Sequence, residues 1–192
     1  NRPALNSGGA SRLARPRVTV NSSSASELYI GLMSGTSLDG VDAVLADFSG
    51  LRCQVRGHHA TPFDDTTRAE LLALNSPGAN ELHRAALAAN ALARHYARAV
   101  RDLLKKTDVP AHAVRAIGAH GQTVRHRPGE FDGTGYTLQL NNPALLAELT
   151  SIAVVADLRS RDVAAGGQGA PLVPAFHQHM FGQPGQDLLV LN

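Results

Sequence analysis

Three short apolar segments in close succession constrain the fold of this chain more than any other feature. They run from Leu28 to Met33, from Val41 to Phe48 and from Leu51 to about Thr61. Turn residues such as Asp39-Gly40 and Ser49-Gly50 separate them, which is typical of antiparallel strands joined by short connections. The sequence therefore predicts an antiparallel meander.

Helical periodicity follows these strands. Apolar residues recur at spacings of three and four from Glu81 to Lys106, and a shorter helix is expected from Thr66 to Leu74. The remaining predicted elements are strands at Arg115 to Ala119, Tyr136 to Leu140 and Ile152 to Asp157, a helix from Pro143 to Leu149, and a last strand beginning at Asp187. This order predicts an α/β fold with a mixed sheet and helices packed on it.

The distribution of charge separates the first 26 residues from the rest. The chain has 192 residues, with 18 basic and 16 acidic side chains. The first 26 residues contain four arginines and no acid, so the remainder has 14 basic residues against 16 acidic ones. We expect residues 1–26 to form a flexible tail and residues 27–192 to form the folded domain. A slightly acidic body with 4% aromatic residues and no Trp argues against a nucleic-acid partner.

Cysteine content and hydropathy restrict the compartment. The single Cys53 excludes an intramolecular disulfide and fits a reducing compartment, so a cytoplasmic location is expected. No apolar run approaches the roughly 18 residues that a membrane span requires, so no membrane partner is expected.

The segment from Ile30 to Asp42 is an apolar strand that runs into a turn dense in glycine and hydroxyl groups. Glycines let backbone amides approach a phosphate closely, and a nearby carboxylate can hold Mg²⁺. The alternative is an ordinary hairpin turn built around Asp39-Gly40. That alternative leaves Ser34, Gly35, Thr36 and Ser37 unexplained.

Two later segments carry further polar groups. Gly118 to Thr123 lies at the end of a predicted strand, where ligands bind in open sheets, although a loop histidine is often simply solvated. Asp157 to Pro171 is a glycine-rich loop that leads to a helix expected near Pro171. In this loop Asp162 is a candidate general base, or else it forms a surface ion pair with Arg159 or Arg161.

Together, the segments Met33 to Asp42, Gly118 to Pro128 and Val154 to His177 resemble the anhydro-N-acetylmuramic acid kinases, bacterial enzymes of peptidoglycan recycling in the sugar kinase and actin superfamily. The resemblance implies a ribonuclease H-like mixed sheet flanked by helices, which is an actin-like ATPase domain. It implies that this chain is the N-terminal domain of a two-domain kinase whose C-terminal domain lies outside it.

The resemblance also implies an activity. ATP, with Mg²⁺, and water would convert 1,6-anhydro-N-acetylmuramic acid to N-acetylmuramic acid 6-phosphate, and Asp162 would activate the water. The implied ATP contacts are Gly35, Thr36, Ser37, Leu38, Asp39, Gly40, Val41 and Asp42. The implied sugar contacts are His120, Gln122, Thr123, Gly166 and Gly167.

The metal ligands stay open, because Met33 stands where relatives of the same fold usually carry an Asp. Asp39, Asp42 and Asp162 are the nearest carboxylates in sequence. Three alternatives also remain: a kinase of the same fold that acts on an ordinary sugar hydroxyl, a non-catalytic nucleotide- or sugar-binding module, and a half-domain that functions only in a complete chain. A homodimer is a further expectation.

Overall fold

The computed structural model describes residues 27–50 and 52–190. The predicted tail, residues 1–26, lies outside the described residues. In chain order the elements are β1 (Leu28–Met33), β2 (Gly40–Asp47), β3 (Gln54–Pro62), α1 (Asp65–Ala73), α2 (Glu81–Thr107), a short 3₁₀ helix (Ala111–Ala113), β4 (Val114–Ala119), β5 (Gln122–Pro128), β6 (Gly135–Leu140), α3 (Pro143–Thr150), β7 (Val154–Val155), α4 (Ser160–Ala164) and α5 (Pro174–Phe181).

The central sheet has five strands in the order β3-β2-β1-β4-β7. β1 pairs antiparallel with β2, with Leu28 opposite Asp47 and Met33 opposite Asp42. β1 pairs in parallel with β4, and β4 pairs in parallel with β7. The predicted meander and the mixed sheet are therefore confirmed.

One face of this sheet packs on α2. Alternate residues of β1 and β2 are buried, as expected for strands with one face in the core. The apolar stripe of α2 meets them, and its buried members are Ala88, Ala89, Leu92, Ala93, Tyr96, Ala97, Ala99, Val100 and Leu103. α2 also packs against α3, so these two helices share one layer.

Side-chain caps explain where the two shorter helices of this layer begin. The Asp64 carboxylate accepts a hydrogen bond from Thr67 N at 2.7 Å and starts α1. The Asn142 side chain accepts from Leu145 N at 3.0 Å and starts α3, with Pro143 in the first turn.

The structure differs from the prediction in the segment between β4 and β6. No strand is predicted between Ala119 and Tyr136, but residues Gln122 to Pro128 form β5, which pairs antiparallel with β6 in a separate two-stranded sheet. Gly121, with φ of +78°, lets the chain reverse after β4 and enter this second sheet. The strand predicted at Tyr136 to Leu140 is therefore real, but it lies outside the central sheet.

The last third of the chain differs most from the prediction. The strand expected from Ile152 to Asp157 shortens to Val154–Val155, and the loop after it contains helix α4. α5 begins at Pro174 rather than near Pro171. Residues 187–190 form no strand, because no neighbouring strand pairs with them in the described part of the chain.

None of the helices in residues 27–50 and 52–190 is both long and apolar enough to cross a membrane. The longest of them, α2, carries charged side chains along its whole length.

Leu92 and Leu82 lie on the same helix and differ in burial, with 0% and 90% of their surface exposed. We expect Leu92→Ala to lower the free energy of unfolding by about 2–5 kcal/mol, because it leaves a cavity between α2 and the sheet. Leu82→Ala should change it by less than about 0.5 kcal/mol. Urea denaturation of both variants measures the difference, and equal effects would show that α2 does not pack as described.

Candidate active site

The turn that follows β1 is closed by a hydrogen bond from Leu38 N to Gly35 O at 3.2 Å. Leu38 has a φ of +55°, and its side chain is buried in the core, which anchors the turn. Two contacts from the α1 region hold the far side: Arg68 Nε donates to Leu38 O at 2.9 Å and Phe63 N donates to Asp39 O at 3.2 Å. The reversal occurs at Gly35 to Leu38, so the turn is not built around Asp39-Gly40 as the hairpin alternative assumed.

This turn has the groups that a phosphate needs. The backbone amides of Gly35, Thr36 and Ser37 donate to no acceptor within residues 27–50 and 52–190. The side chains of Thr36 and Ser37 are exposed beside them. Three successive free amides, with the Thr36 hydroxyl beside them, are the kind of groups from which anion-binding concavities are built. Of the other predicted ATP contacts, Leu38 and Val41 bury their side chains and can offer only backbone groups.

A buried polar contact joins this turn to the segment after β4. Gln122 is 1% exposed, and its Nε2 donates to Gly35 O at 3.1 Å. Ser34, also buried, lies 3.0 Å from the Tyr96 hydroxyl and donates to Gly121 O. Burial of the hydroxyl raises the pKa of Tyr96 to about 12, so the phenol stays protonated and available for this contact.

His120 has one tautomer, which its contacts determine. Its Nδ1 lies 2.8 Å from the carbonyl of Gly121, which only accepts, so Nδ1 carries the proton. Its Nε2 then accepts a hydrogen bond from Arg159 Nε at 2.9 Å. Burial lowers the pKa of His120, and the nearby charge of Arg159 lowers it further, so the imidazole is neutral at pH 7.

Asp162 lies on α4 and is held by the glycine-rich segment. Its Oδ2 accepts from Gly169 N at 2.7 Å. Its Oδ1 accepts no hydrogen bond from the residues that the structure describes. A Cβ placed on Gly167 would lie 2.3 Å from Oδ2, so the carboxylate occupies the space that a side chain would need. Gly167 therefore makes room for the carboxylate.

The surface ion pair considered for Asp162 does not form. No salt bridge joins Asp162 to Arg159 or Arg161 within the described ranges. Arg159 instead donates from Nε to His120 and from Nη1 to Gly169 O. Gly166, the other predicted sugar contact in this loop, is exposed with a φ of +87° and has open space around it.

Thr123 takes part in a polar row along the β5–β6 hairpin. Its hydroxyl accepts from Gln139 Nε2, which also donates to Thr137 Oγ1, and Thr137 in turn contacts His126 Nδ1. Arg125 fixes the hairpin to the helices, because it donates to the carbonyl of Leu74 and contacts Glu81 at 2.6 Å.

The candidate site does not coincide with a larger cavity elsewhere in the structure. A cavity of about 740 Å³ lies between α1 and α2 and touches none of the predicted site residues. The cavity beside Asp39 to Asp42 is about 190 Å³. The charged side chains that line the larger cavity include Glu70 and Arg84, which already pair with each other.

The carboxylates near this turn could supply only one or two of the ligands of a magnesium ion. No three His, Cys, Asp or Glu side chains in the described part of the chain are grouped to hold a metal ion. Asp39 accepts from Ser37 Oγ, and Asp42 lies 3.0 Å from His58 Nε2. Mg²⁺ commonly takes one or two carboxylates and completes its shell with phosphate oxygens and water. The exposed Asp39 and Asp42 fit that kind of site.

A model of the family described as anhydro-N-acetylmuramic acid kinase matches residues 27–192. The chain belongs to the anhydro-N-acetylmuramic acid kinase family. An anhydro-N-acetylmuramic acid kinase of Albidiferax ferrireducens is 72% identical over 167 residues, which cover 87% of this chain and 43% of the relative. Those of Variovorax paradoxus and Cupriavidus metallidurans are 68% and 60% identical, each over 88% of this chain and 45% and 44% of the relative. The chain thus spans less than half the length of these curated relatives.

Sequence reasoning missed the contacts that connect the site. Arg159 donates to His120, 39 residues away in the chain, and to the carbonyl of Gly169. The pattern within each segment predicted its own candidate residues, and spacing within a segment gives no sign of bonds between segments. Gly169 is part of the predicted glycine-rich loop, and its burial and its φ of +67°, which require a residue without a side chain, are visible only in the structure.

Gly167→Ala tests the placement of the Asp162 carboxylate. The added methyl would collide with Oδ2, so the carboxylate should move and release Gly169 N. Hydrogen exchange of the Gly169 amide should accelerate by at least about tenfold, since a hydrogen bond to a charged group contributes about 1.5–3 kcal/mol. Gly31→Ala is the matched control, because a Cβ there meets nothing within 4 Å. Unchanged exchange at Gly169 in Gly167→Ala would contradict the described geometry.

Proposed function

We propose that the full-length protein carrying this chain is an ATP-dependent kinase. It hydrolytically opens 1,6-anhydro-N-acetylmuramic acid and phosphorylates O6 to give N-acetylmuramic acid 6-phosphate in peptidoglycan recycling. Membership of the family and identities of 60–72% to proteins with that name support the proposal. Its partners would be the anhydro sugar and ATP, and its location would be the cytoplasm.

The observation that carries the proposal is the state of the Asp162 carboxylate. One oxygen is fixed by Gly169 N, and the other accepts no hydrogen bond from the described residues. A general base needs this combination, because the fixed oxygen sets the orientation and the free oxygen receives the proton. A carboxylate neutralised by an adjacent arginine would be a weaker base, and no such ion pair occupies Asp162.

The reaction needs a base on one side of the sugar and an acceptor for O6 on the other. Asp162 Oδ1 takes a proton from water while the water oxygen bonds to the anomeric carbon. The bond from that carbon to O6 breaks while O6 forms a bond to the γ-phosphorus of ATP, and the bond from that phosphorus to the β,γ-bridging oxygen breaks, so that ADP leaves. The phosphoryl group takes the place of the proton that a general acid usually gives to the leaving oxygen. This is an inverting cleavage in which phosphoryl transfer assists the leaving group.

The turn from Gly35 to Ser37 would hold the phosphates through its free amides and the Thr36 hydroxyl, and Asp39 or Asp42 would hold Mg²⁺. ATP would supply the phosphoryl group, and Mg²⁺ would neutralise its charge. Thr123 would orient the sugar, and His120, whose two ring nitrogens are already hydrogen-bonded, would act through Arg159. Gln122, being buried on Gly35, would act on the sugar and the nucleotide only through the backbone segments that it joins.

Asp162→Asn removes the base and keeps the shape of the side chain. In the full-length protein we expect turnover to fall by about 10² to 10⁴, with sugar binding and the melting temperature nearly unchanged. Asp157→Asn is the control, since Asp157 is exposed and only accepts from Ser160 N at 3.3 Å. Near-normal phosphorylation by Asp162→Asn would show that Asp162 is not the general base.

Reaction in ¹⁸O-labelled water separates this activity from a kinase that phosphorylates an ordinary sugar hydroxyl. Opening of the anhydro bond by water should place one label on the anomeric carbon of the product. Mass spectrometry of the sugar phosphate, read before the anomeric hydroxyl exchanges, measures it. A phosphorylated product that retains the anhydro bond and carries no label would favour the ordinary kinase.

A further inference from the structure

Arg159 is a partly buried cation between two segments of the candidate site. Its Nε donates to His120 Nε2 and its Nη1 donates to Gly169 O at 2.5 Å. These two bonds hold the guanidinium in one orientation and connect the segment after β4 to the loop that holds Asp162. A long flexible side chain restrained in this way has lost the rotamer freedom that a surface arginine keeps.

Both acceptors of Arg159 are neutral. His120 carries its proton on Nδ1 and is uncharged at pH 7, and Gly169 offers a carbonyl. No Asp or Glu lies within salt-bridge distance of Arg159 in the described ranges, where five other arginines pair with a carboxylate. The positive charge is therefore uncompensated by the protein, and Nη2 donates to no acceptor among the described residues.

A partly buried charge without a counter-ion is costly, since burial removes water and the two hydrogen bonds to neutral acceptors replace only part of its solvation. Such a group is stabilised when a ligand brings an oxyanion, and guanidinium binds carboxylate and phosphate well. Two oxyanions could come to this site: the phosphates of a nucleotide and the acid group of the sugar. The placement favours the sugar, because Arg159 bonds to His120 and to the Asp162 loop, whereas the free amides for phosphate lie on the Gly35 turn.

We propose that Arg159 recognises the carboxylate of the sugar's lactyl ether through its free Nη2, and so selects a muramic acid over the corresponding glucosamine. This inference rests on the proposed function, and it names a specificity-determining residue for the same site. The carboxylate completes the charge pair that the protein leaves open. An anhydro-N-acetylglucosamine has no such group, so it leaves Arg159 unpaired.

Calorimetric binding of two sugars to the full-length protein tests the proposal without turnover. The wild type should bind 1,6-anhydro-N-acetylmuramic acid about 10- to 100-fold more tightly than 1,6-anhydro-N-acetylglucosamine, as expected when one charged hydrogen-bonding pair is gained. Arg159→Gln should weaken binding of the acidic sugar to the level of the neutral one and leave the neutral sugar within about threefold. Arg159→Lys keeps the charge and should retain part of the preference.

Arg161→Gln is the matched control, because Arg161 lies two residues away on α4, is exposed and joins no salt bridge among the described residues. It should leave both affinities unchanged. Equal wild-type affinity for the two sugars would overturn the proposal, as would equal loss of both in Arg159→Gln, which indicates loop positioning alone. Weaker ATP binding in Arg159→Gln with an unchanged sugar preference would assign the residue to phosphate instead.

The outcome of the binding test does not depend on whether the proposed reaction occurs. A wild type that distinguishes the sugars but does not phosphorylate either would uphold Arg159 and overturn the kinase activity. A wild type that phosphorylates both sugars with equal affinity would uphold the activity and overturn Arg159.

Discussion

The parallel pairing of β1 with β4 is the constraint on which the site depends. Parallel strands end at the same edge of a sheet, so the turn after Met33 and the segment after Ala119 emerge side by side. His120 N donates to Leu32 O at 3.0 Å at this edge. An antiparallel arrangement would place the two segments about a strand length apart. Helix α2 makes the parallel pairing possible, because it carries the chain back across one face of the sheet between β3 and β4.

Burial of polar groups then fixes these neighbouring segments relative to each other. Gln122 is fully buried, and its amide can point only one way, because a flipped amide would set its oxygen against Gly35 O. Its Oε1 is left without a partner in the described part of the chain. A buried amide that forgoes one hydrogen bond loses free energy. The unpaired Oε1 therefore costs stability, while the Nε2 contact holds the Gly35–Leu38 turn against the segment that begins the β5–β6 hairpin.

The regular elements could be predicted because their patterns are local. β1, α2 and α3 begin within one residue of the expected positions, since strand alternation and helical spacing are visible within a single segment. β5 and α4 were not predicted, because β5 is mostly polar, with Val124 as its buried apolar residue, and α4 has only five residues. Proximity in sequence left an ion pair of Asp162 with Arg159 or Arg161 as an alternative to the general base. The tertiary fold instead brings His120 and Gly169 to Arg159, and the Asp162 carboxylate accepts from the Gly169 amide.

Gly169 stands between two side chains of opposite charge. Its N–H faces the Asp162 carboxylate, and its C=O faces the Arg159 guanidinium. Gly169 separates the two charges, because its N–H binds the anion, its C=O binds the cation, and the two side chains form no ion pair with each other. The conformation of the segment from Gly166 to Gly169, which brings this peptide unit to both side chains, therefore sets how the two charges are held apart.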